Sequence, residues 1–172
     1  MPGLGNGATC QAASLSPAYS RPATLEDLNG LVRALNEKGA EYLLIGGYAL
    51  YAHGYQRATT DIDLLVAQDR GAGERVKAAL LVLPDQAAKD IDPAWFEEGE
   101  IIRVADAFVV DLMLTAGGET YASLAPHAVT VDLDGIPVRT IDLAGLLKTK
   151  QTAREKDVAD RAILERALGK LR

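Results

Sequence analysis

A single cysteine and two histidines among 172 residues remove several chemistries at the outset. Cys10 has no partner for an internal disulfide, and together with His53 and His127 it cannot supply the clustered sulfur and nitrogen ligands of a zinc site. That usage fits a reducing cytoplasm. No apolar run reaches the roughly 20 residues of a membrane span, and the first residues lack both the basic start and the unbroken apolar stretch of an export signal. A chain with no membrane association is therefore expected. Positive charge is also scarce: the formal charge is -6, which argues against tight nonspecific nucleic-acid binding because phosphate neutralisation supplies most of that affinity.

The deficit is uneven. Residues 1–138 hold 9 Lys+Arg against 19 Asp+Glu, whereas residues 139–172 hold 9 against 5, so the basic character gathers at the C-terminal end. Residues 1–22 are rich in Gly, Ala, Ser and Pro and have no apolar period, which predicts a loose tail ahead of one domain over 23–172. The GLGNG at positions 3–7 follows no strand and precedes no Lys-Ser or Lys-Thr, so it is not a phosphate loop.

Within the domain, Thr24 and Asp27 cap a helix carried by Leu25, Leu28, Leu31, Val32 and Leu35 and stopped at Gly39. A short apolar strand at 42–45 ends on Gly46-Gly47, with one or two helical turns to His53 after it. Further strands are expected at 61–66, at 101–105 and 108–114 as an antiparallel pair around Asp106-Ala107, and at 129–133 and 136–141 as a hairpin through Asp134-Gly135. Helices are expected at 73–83, 142–152 and 155–168. The pattern predicts an α/β (α+β) fold, a mixed central sheet flanked by helices with further helices at the C-terminus.

The chemistry gathers on few positions. Residues i and i+2 of a strand share a face, so Asp61 and Asp63 present adjacent carboxylates while Ile62 and Leu64 turn inward. Asp111 sits in the same kind of frame, in FVVDLML. If its strand lies beside the first, three carboxylates converge, an arrangement that calls for a cation; Asp111 facing away, or an ion pair filling the space between them, would count against the enzyme itself. Hard oxygen donors without His or Cys suit Mg2+ or Mn2+, and two such ions roughly 4 Å apart can stabilise both the attacking and the leaving oxygen of an in-line displacement at phosphorus. Asp61 and Asp63 are the expected metal ligands, and Asp111 a metal ligand or the acceptor of a hydroxyl proton. Gly46 and Gly47 admit a phosphate to the backbone, with Arg57, Thr59 and Thr60 on the loop that enters the metal-binding strand. His53 reads as a packing residue, and Trp95 with Phe96 as core or as a lid.

An apolar residue, Gly-Gly, thirteen residues, Asp-Ile-Asp-Leu and a later Val-Asp-Leu resemble the nucleotidyltransferase superfamily of DNA polymerase beta. GGYAL and RATTDIDLL are most similar to the small bacterial abortive-infection toxin nucleotidyltransferases and, more distantly, to aminoglycoside nucleotidyltransferases. VRTIDLAGLLKTKQTAREKDVADRAIL resembles the end of the toxin group, which implies that Lys148, Lys156 and Asp157 face the nucleotide. The resemblance implies a nucleotidyltransferase fold and Mg2+-dependent transfer of an NMP from an NTP such as ATP. The expected acceptor is a hydroxyl of a protein, tRNA or small molecule, with an antitoxin as partner. The residues alone leave a second class open, a non-catalytic nucleotide- or partner-binding module.

Overall fold

The computed structural model describes residues 8–10, 20–56 and 59–170. In chain order its elements are β1 (Ala8–Cys10), α1 (Leu25–Glu37), β2 (Tyr42–Ile45), α2 (Gly46–Ala52), β3 (Ile62–Val66), α3 (Arg70–Leu80), β4 (Ile102–Ala105), β5 (Val109–Met113), α4 (Tyr121–Leu124), β6 (Ala128–Leu133), β7 (Ile136–Ile141), α5 (Leu143–Thr149) and α6 (Glu155–Lys170). Short 3-10 turns lie at Ala87–Asp90, Pro93–Glu97 and Ala125–His127.

The strands form one mixed sheet in the order β1-β4-β5-β3-β2-β7-β6, the α/β architecture expected. Of the stretch read as a tail, Ala8–Cys10 pairs antiparallel with β4, Ala8 opposite Val104. Arg21 and Ala23 join the domain by backbone hydrogen bonds to Ala107 and Thr60. The remainder of 1–19 lies outside the described residues.

Local sequence explains the element ends. Thr24 and Asp27 form the reciprocal capping box of α1, which satisfies two of the amide donors left open at a helix start. Leu28, Leu31, Val32 and Leu35 then bury one stripe of the helix, which packs on α3 and β7. β2 is buried at all four positions, as a central strand covered on both faces must be. Asp134 and Gly135 both take positive φ, so the β6–β7 turn follows the right-handed strand twist.

Two features shape the segment between α3 and β5, the first of them outside the strand and helix patterns of the sequence. Asp106 is fully buried, and its carboxylate accepts hydrogen bonds from the backbone amides of Asp85, Ala87 and Ala107. It folds the 84–87 loop back onto the β4–β5 turn. Phe96 is also fully buried, seated on Gly73 where even a Cβ would lie 2.3 Å from its ring, and Trp95 packs on the same core. These aromatics are core and not lid. Among the described residues no helix is long and apolar enough to cross a membrane.

Candidate active site

Register builds the site. β3 pairs parallel with β5 so that Asp63 lies opposite Asp111, β5 pairs antiparallel with β4 so that Asp111 lies opposite Arg103, and Ile45 of β2 lies opposite Asp63. In-register neighbours carry their side chains on one face, so Arg103, Asp111 and Asp63 stand abreast across three strands, with Asp61 at the entry of β3 on the same side. The strand adjacency expected for Asp111 is therefore present.

The charge arrangement differs from expectation. Arg103 grips Asp111 with two hydrogen bonds, Nε to Oδ1 at 2.8 Å and Nη2 to Oδ2 at 3.1 Å, and the same Nη2 lies 3.8 Å from Asp61 Oδ2. The guanidinium thus occupies the space between Asp111 and Asp61. As they stand, no three His, Cys, Asp or Glu side chains among the described residues form a group that could hold a metal ion. Both oxygens of Asp111 accept hydrogen bonds from the chain's own cation, while Asp61 and Asp63 line a cavity of about 590 Å³. The donor chemistry at Asp61 and Asp63, oxygen alone with no sulfur or nitrogen, fits Mg2+ or Mn2+.

Burial, and next the charge of Asp111, push the Asp61 carboxyl above its ordinary value, while a Thr60 hydrogen bond, Arg103 and Lys156 pull it back. A raised acid binds its proton more tightly in the folded chain. Its stabilising contribution is present below the unfolded pKa and lost as pH rises through the folded one. A cation competes with that proton. Mn2+ binding titrated from about pH 7 down to 4 is therefore expected to fade at a higher pH than an unperturbed aspartate would give; a midpoint at the ordinary Asp value would contradict this.

Gly46 packs against Asp63. It has φ +74°, and a Cβ there would meet Asp63 Oδ2 at 2.3 Å. Only a glycine lets α2 begin against the carboxylate. α2 starts at Gly46 with no side chain capping it, and Gly46 and Gly47 both line the cavity, as do Thr59 and Thr60. Arg57 lies outside the described residues. His53 is structural, its Nε2 lying 2.8 Å from the Ile141 carbonyl oxygen.

The C-terminal cations close the cavity, with one substitution in the expected cast. Lys156 and Asp157 line it, together with Arg154, but Lys148 is exposed and absent from the lining, where Lys150 stands instead. Two residues apart on a helix means about 200° of rotation, so the pair cannot both face inward. Lys150 is buried between two buried carboxylates, 3.1 Å from Asp160 Oδ2 and 3.8 Å from Asp157 Oδ1. Asp157 also accepts a short hydrogen bond from Thr152. Arg161 donates to the carbonyls of Lys150 and Thr152, pinning the α5–α6 connector at the rim. Lys150→Ala, by stranding buried carboxylates, is expected to cost about 3 kcal/mol of stability or more. Lys148→Ala, at an exposed position, should cost less than about 1 kcal/mol; equal losses in thermal or denaturant melts would contradict this assignment.

Solved structures share this fold. The nucleotidyltransferase-class protein TM1012 of Thermotoga maritima matches at TM-score 0.52 and 13% identity, over 86% of this chain and 93% of its own. The antibiotic-resistance factor ANT(2'')-Ia matches at TM-score 0.52 and 16% identity, over 82% of each chain. At these identities the likeness shows the shared fold alone. Residues 30–159 match the model of the family "Nucleotidyl transferase AbiEii toxin, Type IV TA system". The chain belongs to that family. No curated protein matches it.

Proposed function

We propose that the protein transfers an NMP from ATP or another NTP, with Mg2+ or Mn2+, to a hydroxyl of a tRNA or protein, and that it acts as a toxin opposed by an antitoxin. The observation that carries this reading is one cavity lined by the carboxylates Asp61 and Asp63 together with the cations Lys150, Arg154 and Lys156. Oxygen donors and cations lining one space suit a metal-bound triphosphate. Family membership supports the toxin role.

Asp61 and Asp63 would hold the divalent ion, which when bound neutralises charge developing on the phosphates. Lys150, Arg154 and Lys156 would receive the phosphate oxygens, and the backbone at Gly46 and Gly47 would let them approach. The acceptor oxygen attacks the α-phosphorus, the bond to the β-phosphate oxygen breaks, and pyrophosphate leaves. Asp111, oriented by Arg103, would accept the hydroxyl proton.

The test uses ATP labelled at the α- or γ-phosphate, with Mg2+ and separate acceptor pools of tRNA, protein and small hydroxyl compounds. The reading expects α-label on tRNA or protein and γ-label in released pyrophosphate. Label confined to small compounds would move the acceptor to another class, and γ-label on any acceptor would overturn nucleotidyl transfer.

A further inference from the structure

We infer that Arg103 is a positioning residue that takes the place of a cation on Asp111, so that the site in the absence of nucleotide is built for one divalent ion and not two. This rests on the metal-dependent transferase reading. Neither side chain of the pair is free to wander. Asp111 is buried, Arg103 is a half-buried side chain on the next strand, and their two parallel N–H···O bonds fix the carboxylate plane. Backbone register brings the pair together, Arg103 lying directly opposite Asp111.

The charges give the consequence. Arg103 offsets the charge of Asp111 and acts on Asp61 and Asp63 as well, and Lys156 adds a further positive charge near Asp61, so the carboxylates have less uncompensated charge for a second ion. The Arg103 Nη2, which bonds Asp111 at 3.1 Å and lies 3.8 Å from Asp61, stands where an ion shared by those two carboxylates would have to sit. A second ion there would face a fixed positive charge at short range in a partly desolvated site, where such repulsion is strong. Asp111 is thereby reserved for the acceptor hydroxyl, held in one orientation by two hydrogen bonds.

Positioning and counter-charge separate in variants. Arg103→Lys keeps the charge but loses the two-pronged geometry; Arg103→Gln and Arg103→Ala lose both. Mn2+ binding to the full chain without nucleotide, read from the free-ion electron paramagnetic resonance signal, gives affinity and stoichiometry independently of activity. Circular dichroism melts show which variants fold, and Arg103→Gln, which keeps bulk and a hydrogen-bond donor, serves if the alanine variant does not. The inference expects about one ion per wild-type chain. It expects affinity to rise about tenfold or more in the glutamine and alanine variants and to stay within about threefold in the lysine variant. Transfer activity should fall in all three, because each releases Asp111.

Two ions per wild-type chain, or unchanged or weaker Mn2+ binding in a folded Arg103→Gln chain, would overturn the inference while leaving the transferase reading intact, provided Asp63→Asn still abolishes binding. Absence of any Mn2+ binding by the wild type, with or without ATP, would instead remove the metal-dependent reading itself and this inference with it.

Discussion

Asp63→Asn is expected to lower nucleotidyl transfer by about 10³-fold or more, a loss of roughly 4 kcal/mol of transition-state stabilisation, in a chain that still folds. Asp63 stands beside Asp111 in register and lines the cavity with Asp61. Replacing one oxygen by an amide nitrogen keeps the shape and removes the charge. Asp61→Asn should lose activity likewise, with the melting temperature unchanged or slightly raised, because burial already disfavours the charged form of Asp61. A structural carboxylate would show the reverse, loss of stability with activity kept. Transfer of the α-phosphate label and a thermal melt on the same preparations distinguish the two.

The second large effect is expected from a single methyl group. Gly46→Ala forces a left-handed backbone on an ordinary residue, at about 1 kcal/mol, and sets a Cβ 2.3 Å from Asp63 Oδ2, which cannot stand unless the carboxylate or the start of α2 moves. The strain and the collision can be separated. Gly54 also has positive φ, at +90°, but nothing lies within 4 Å of a Cβ there, so Gly54→Ala incurs the backbone strain alone. Both variants should lose comparable stability from φ, whereas only Gly46→Ala should lose transfer, by about 100-fold or more, through displacement of the Asp63 carboxylate. Equal activity of the two alanine variants would mean that close packing of Gly46 on Asp63 is irrelevant to function.

Much of this was legible in the residues. The capping box at Thr24 and Asp27, the Gly46-Gly47 break after an apolar strand, and the Asp61-x-Asp63 spacing each follow from local rules, and the structure has the elements they predict. Pairing partners are harder, because periodicity says which face a strand buries and not which strand lies beside it. Asp63 faces Asp111 only because β3 and β5 run parallel at the centre of the sheet.

Arg103 shows how a small register difference hides a functional residue. A two-residue turn at Asp106-Ala107 would have set Arg103 opposite Val110, with its side chain on the face away from Asp111. The observed turn spans Asp106, Ala107 and Phe108, pairs Ala105 with Val109, and so brings Arg103 opposite Asp111. One residue of slip exchanges the faces. The extra turn residue follows from Asp106, whose buried carboxylate binds three backbone amides, a long-range demand invisible to strand alternation.

Lys150 carries a local signal in its spacing. The buried face of α5 runs Gly145, Leu146 and Thr149, so the next inward position is Lys150, four residues after Leu146, while Lys148 falls on the outer face. The carboxylates that hold it, Asp157 and Asp160, recur three apart at the start of α6 and share its inner side.

The central claim is that Asp61 and Asp63 hold a divalent ion under the phosphates of a nucleotide in the cavity they share with Lys150. Crystals grown with Mn2+ and an NTP analogue that cannot be cleaved at the α-phosphate, with data collected at the manganese edge, test it most directly. The account predicts an anomalous peak within coordination distance of Asp61 and Asp63, the triphosphate running from Gly46 toward Lys150, Arg154 and Lys156, and Arg103 still on Asp111. Nucleotide bound elsewhere, or manganese without contact to either aspartate, would contradict it.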